Sequence, residues 1–217
     1  MPTPAAAPDR TRHPRRLRAV LGAAVAAALV VYLLDQATKL RVERTMELGE
    51  SIPVIDGLLQ WHYILNPGAA FSLGEDFTWL FTAIMAAVSI GIAVYLPRVR
   101  SMPWALALGL VLGGALGNLT DRVLRWPGFP SGHVVDFIHV NRFAVFNIAD
   151  SGVVVGVAAV ALLILLGREP DGTRSTGARS TETQRRGEDG AEPVETATDE
   201  GGGPEGRSAG GPPEGAR

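Results

Sequence analysis

Apolar residues in this chain gather in four long runs rather than alternating with polar ones. Residues 19–34 carry no charge, and the run continues past Asp35 to Lys39. Residues 77–97 and 101–120 are also uncharged, and 143–167 carries a single charge, Asp150. A bilayer's hydrocarbon core takes about 20 helical residues. Backbone inside it must satisfy its own hydrogen bonds, which makes each run a helix. The pattern predicts an all-α integral membrane fold of four transmembrane helices.

The connecting stretches differ from one another. Residues 51–64 mix β-branched and aromatic residues with the turn formers Pro53 and Asp56-Gly57, a pattern of short strands in a hairpin. Trp61 and Tyr63 suit a lipid–water interface. Residues 1–18, rich in Pro and Arg, and 168–217, rich in Gly, Pro, Glu, Thr and Arg, hold too little apolar surface to offset the entropy of ordering. They are expected to be a disordered basic N-terminus and a disordered tail on either side of a membrane domain spanning 19–167.

Composition narrows the chemistry. The formal net charge of −2 gives no global attraction to nucleic acid. The absence of cysteine excludes disulfides, thiol nucleophiles and Cys-based metal sites. Five arginines from Arg10 to Arg18 precede the first apolar run, as in a secretory signal peptide. No small-x-small cleavage site follows and three more spans do, so a retained anchor is expected. Lys and Arg near the span ends place both termini in the cytoplasm, with 40–76 and 121–142 outside.

Acidic side chains cost most near the membrane, and this sequence places four at the outer ends of its spans. Asp35 falls at the end of the first run and Asp121 at the end of the third. Asp136 interrupts Val134-Val135-Asp136-Phe137-Ile138, and Asp150 lies in the first turns of the fourth. A lone aspartate at a helix end is ordinarily a cap or a solvated residue. Four of them at one depth, with Asn66, Asn118 and Asn147, point to a site. Asn118 and Asp121 share a helix face at i, i+3, and Asn147 and Asp150 repeat the spacing. Gly113, Gly114 and Gly117 permit close approach of a helix or a bound peptide. Arg122 is placed to neutralise a carboxylate, and the fourth helix's N-terminal dipole favours an anion.

Two carboxylates sharing a site cannot both ionise easily. One then takes a proton from water while the other donates one to a carbonyl. No metal or cofactor is required. An ion-coupled transporter or channel component would use the same cluster differently. No HExxH, G-x-S-x-G or phosphate-loop motif is present, and the four histidines (His13, His62, His133, His139) are scattered. His133 and His139 are the ones near Asp136 in sequence. Ser72 and Ser151 have no evident base.

Five ordered blocks resemble the bacterial lipoprotein signal peptidase (signal peptidase II) family. They are Asp35-Gln36-Ala37-Thr38-Lys39, Asn66-Pro67-Gly68-Ala69-Ala70-Phe71-Ser72, Gly113 through Arg122, Val134-Val135-Asp136-Phe137-Ile138 and Phe146-Asn147-Ile148-Ala149-Asp150-Ser151. The resemblance covers roughly residues 20–167. It implies an aspartic endopeptidase of the bacterial cytoplasmic membrane that removes signal peptides from diacylglyceryl-modified prolipoproteins, just before the lipidated cysteine, and acts as a monomer. By position it implies Asp136 and Asp150 as the catalytic pair, with Asp121 the rival aspartate. Asp35, Lys39, Asn66, Gly114, Asn118, Asp121, Arg122 and Asn147 are implied as supporting or substrate-binding residues. It further implies a small extracytoplasmic β-sheet from the first outer loop and a second outer segment, 123–142, over the site. The short connection between the Asp136 and Asp150 blocks makes that cover small, and the tail lies outside the family core.

Overall fold

The computed structural model describes residues 12–68 and 78–174, with side chains from residue 15 onward. The expectations for 1–11, for 175–217, and for Ala69 through Ser72 of the second block lie outside the described residues. Four helices are long and apolar enough to cross a membrane: α1 (Arg12–Thr45), α2 (Thr78–Tyr95), α3 (Met102–Leu124) and α4 (Ile148–Leu165). Three strands, β1 (Ser51–Ile55), β2 (Leu59–Asn66) and β3 (Val134–Val140), form one antiparallel sheet in the order β1-β2-β3.

α3 is the central helix: over half of its apolar window is buried, against about a fifth of each of the others. It packs on α1, α2 and α4, whereas α2 makes no substantial contact with α4 among the described residues. Glycine makes this packing possible. A Cβ on Gly113 would lie 2.4 Å from the carbonyl oxygen of Ala28 on α1, and one on Gly114 would lie 2.3 Å from that of Ala149 on α4. Both are closer than atoms can approach, so the neighbouring backbones occupy the space that a side chain would need. Gly114 therefore admits a helix rather than a bound peptide. The outward faces of the helices carry exposed Leu29, Leu33, Ile84, Ile90, Val154 and Leu162, as a lipid-facing surface requires.

Several boundaries depart from the pattern in the sequence. α1 starts at Arg12, within the stretch expected to be disordered, and runs through Asp35 to Thr45. Its 34 residues make it about 50 Å long at 1.5 Å per residue, well beyond a hydrocarbon core of about 30 Å. α3 likewise passes Asp121 and ends at Leu124. Neither aspartate ends its helix, because buried partners satisfy both. The fourth apolar run starts as extended chain. Phe146 exchanges backbone hydrogen bonds with Ile138 at 2.8 and 3.0 Å, and the helix begins after Asn147.

Residues 134–140 of the expected cover form β3, the third strand of the sheet. The hairpin in 51–64 is present as β1 and β2, but Tyr63 is buried among Val42, Val135 and Phe137 rather than facing an interface. The C-terminal ends of α1 and α3, the N-terminal ends of α2 and α4, and the sheet all meet at one end of the bundle.

Candidate active site

The four aspartates converge at the sheet end and divide into two pairs by the company they keep. Asp35 and Asp121 share a cation. Lys39 Nζ lies 2.8 Å from Asp35 Oδ2 and 2.8 Å from Asp121 Oδ2, and all three side chains are fully buried. Its remaining hydrogen goes to Asn118 Oδ1 at 2.8 Å, so three protons meet three acceptors. Ala149 N–H, on the first turn of α4, donates to Asp35 Oδ1 at 2.9 Å. Arg125 Nε donates to Asp121 Oδ1 at 2.8 Å, and its far end pairs with Glu43 on α1. Gln36 Nε2 reaches Asp35 Oδ2 and the carbonyl oxygen of Gly117, both at 3.1 Å. This network joins α1, α3 and α4. Removing one member of such a buried ion cluster strands the others at a cost of about 3–5 kcal/mol.

Asp136 and Asp150 are held instead by neutral amides. Asn66 Nδ2 donates to Asp136 Oδ2 at 2.8 Å, and Asn147 Nδ2 donates to Asp136 Oδ1 at 2.6 Å. Asn118 Nδ2 donates to Asp150 Oδ1 at 2.7 Å. Asn147 links the two carboxyls, since its backbone N–H donates to Asp150 Oδ2 at 3.2 Å. Its side-chain oxygen accepts from Asp150 N–H at 2.9 Å, which completes a capping box at the start of α4. Asn147 is thus the N-cap of α4 and not part of the helical face its spacing suggested.

Asp136 is 1% exposed. Burial pushes its carboxyl up to about 7, and the nearby Asp150 charge pushes in the same direction. The amides of Asn66 and Asn147 and the Lys39 charge pull the other way without cancelling the burial. Asp136 reaches this place by strand alternation. Its side chain points to Asn66 and Asn147 on one side of β3, while the neighbouring Phe137 packs against Trp61, with ring centroids 5.8 Å apart.

Arg122 does not pair with a carboxylate as expected. Its guanidinium donates to the carbonyl oxygens of Gly132 at 2.8 Å and Asn66 at 3.1 Å, tying α3 to the end of β2 and to the loop that leads into β3. It lies within electrostatic range of Asp136, Asp121 and Asp150 while Lys39 and Arg125 make the direct pairs. Gly68, at φ +103°, leads the chain out of β2 beside this guanidinium, with its N–H bonded to Asn66 Oδ1 at 2.7 Å. His139 shares a hydrogen bond with Gln60, and His133 packs edge-on against Trp126. Ser151 donates to the carbonyl oxygen of Asn147, within its own helix. Among the described residues no group of His, Asp and Glu side chains could hold a metal.

Sequence reasoning did not single out Glu43 and Arg125. Their signal was helical spacing, since Arg125 lies one turn past Asp121 and Glu43 one turn past Lys39. An apolar groove of about 280 Å³ lies between α2, α3 and α4. Ile84, Val88, Val111 and Val153 are among its lining, and Asn118 and Asp150 also line it.

These features define a class: a four-span membrane protein with a pair of amide-held carboxylates at one end, one buried and one half-buried, and an apolar groove leading to the second. A family model described as signal peptidase (SPase) II matches residues 27–166. The chain is 50% identical over 167 residues to a lipoprotein signal peptidase of Streptomyces coelicolor, covering 77% of this chain and 80% of that one. It is 40% identical over 185 residues to one from Mycobacterium avium, covering 85% and 97%. A solved bacterial membrane enzyme superposes with a TM-score of 0.60 at 33% identity, covering 66% of this chain and 88% of the other. A second gives 0.59 at 34%, covering 66% and 93%.

The chain belongs to the signal peptidase II family, the lipoprotein signal peptidases. It is accordingly an aspartic peptidase and a multi-pass bacterial membrane protein, which displaces the transporter reading.

Proposed function

We propose that the protein cleaves diacylglyceryl-modified prolipoproteins just before the lipidated cysteine, with Asp136 and Asp150 activating a water between them. The observation that carries this reading is the contrast between the two carboxylate pairs. Asp35 and Asp121 are paired directly with the cations of Lys39 and Arg125. Among the described residues Asp136 and Asp150 receive only neutral donors in direct contact, linked through Asn147, which leaves one proton to be shared.

In this mechanism Asp136 holds the shared proton at neutral pH and Asp150 takes a proton from water. The water oxygen attacks the scissile carbonyl carbon while Asp136 donates to the carbonyl oxygen. Collapse of the tetrahedral intermediate breaks the C–N bond, and the proton held by Asp150 passes to the leaving amine. Asn66, Asn118 and Asn147 orient the carboxyls. Lys39, with Asp35 and Asp121, fixes the helices that carry them, and Arg122 holds the sheet to α3. Gly114 lets α4 bring Asp150 close.

The substrate's apolar segment enters from the bilayer along the groove between α2 and α4, which ends at Asp150 and Asn118. The sheet lies on the extracytoplasmic side, and both termini are cytoplasmic. Residues 19–167 form the peptidase domain, which acts as a monomer. The test is incubation of the purified protein with a diacylated prolipoprotein and with its unlipidated form. Cleavage of the first alone supports the reading, and equal cleavage of both refutes the substrate class.

A further inference from the structure

On the other side of β3 from the carboxyls, the sheet overhangs the end of α1 and leaves a groove of about 410 Å³. Each strand contributes one apolar side chain to its wall, namely Ile52, Trp61 and Phe137, and α1 contributes Val42 and Met46. At the mouth stands Arg41. A second recess of about 320 Å³ runs along the outside of α1. It shares Arg41 and Thr45 with the groove and adds Arg44 and Leu40. An apolar slot and a basic recess therefore meet at one arginine.

Neither Arg41 nor Arg44 has a side-chain hydrogen bond or an ion pair among the described residues, and both are exposed. The other basic side chains nearby are committed: Lys39 to Asp35 and Asp121, Arg125 to Asp121 and Glu43. That last pair also occupies Glu43, the acidic side chain between the two arginines on α1. Glu47, one turn on, has no ion pair with either. Just below, α1 exposes Leu29, Val30, Leu33, Leu34 and Leu40. Arg41 and Arg44 thus follow directly on the end of the apolar surface, at the level of lipid headgroups.

We propose that this composite site binds one anionic phospholipid of the surrounding membrane, with its phosphate on Arg41 and Arg44 and one acyl chain under the sheet against Trp61 and Phe137. Charge selects the occupant. Two unpaired guanidinium groups favour an anionic headgroup over a zwitterionic one, and the slot accepts a chain but no charge. The bound chain fills the space beneath Phe137, next to Asp136 in β3. The inference does not depend on the catalytic roles proposed above.

The test uses fluorescence quenching in full-length protein by phosphatidylglycerol and phosphatidylcholine carrying the same brominated acyl chains. The Trp61 signal is read as the difference between wild type and Trp61→Phe. Trp61 is expected to be quenched at about thirtyfold lower mole fraction of the anionic lipid, as two basic groups near a membrane surface would give. Arg41→Gln/Arg44→Gln should abolish the preference, and Arg41→Lys/Arg44→Lys should retain most of it. Equal quenching of wild type by the two lipids would overturn the proposal, as would a preference unchanged in the Gln variant. The wild-type comparison decides even if the Gln variant fails to fold.

Discussion

Asp136→Asn replaces a buried carboxyl with a group of the same shape that cannot titrate. In the folded protein the carboxyl keeps its proton up to about pH 7, against 3.8 when unfolded. Below 3.8 both states hold the proton, and above 7 neither does. Between those values only the folded chain holds it, so wild-type stability falls as pH rises. The loss is about 1.4 kcal/mol per pH decade, about 4 kcal/mol across the window.

The variant loses this dependence at the same position. It also suffers a pH-independent cost of about 1–3 kcal/mol, because its amide cannot accept from both Asn66 and Asn147. Thermal unfolding in detergent from pH 4 to pH 8 measures the difference. The gap between wild type and Asp136→Asn should move by several kcal/mol in the variant's favour as pH rises, roughly 10 °C in Tm. Parallel curves would refute the claim that burial and the Asp150 charge hold a proton on Asp136.

Further consequences follow from the same geometry. In Asp150→Asn the repulsion acting on Asp136 is gone, so the wild-type stability transition should shift to lower pH; an unmoved midpoint would show that the two groups are not coupled. Lys39→Met leaves buried Asp35 without its cation and Asp121 with Arg125 alone, and should cost about 3–5 kcal/mol, read as loss of folded protein after detergent extraction. Gly114→Ala puts a methyl where the carbonyl oxygen of Ala149 lies, so α4 must shift. About 1–3 kcal/mol of stability and most of the cleavage rate should be lost together. Asn147→Asp keeps an N-cap oxygen but removes the amide donated to Asp136, so thermal stability should fall little at low pH while cleavage collapses.

The four spans were legible because uncharged runs of that length have few alternatives. The convergence of Asp35, Asp121, Asp136 and Asp150 was legible because charge is costly near lipid. Two things were not. β3 shows no apolar–polar alternation because Val134 to Phe137, Asp136 among them, are all buried, so the pattern that marks a half-exposed strand is missing. The division of the aspartates into cation-paired and amide-held pairs depends on which side of each helix faces Lys39. Spacing along one helix cannot report this, because the partners come from α1, α3 and α4. Arg122 illustrates the point: adjacent to Asp121 in sequence, it turns to backbone carbonyls, while Arg125, one turn further on, makes the salt bridge.

The central claim is that Asp136 and Asp150 together activate the water. Its most direct test is cleavage of a purified diacylated prolipoprotein by Asp136→Asn and by Asp150→Asn, each first shown to be folded by thermal unfolding. Both should lose cleavage by at least about a thousandfold, the scale on which general acid–base groups act. A folded variant of either kind that cleaves at the wild-type rate would contradict the account.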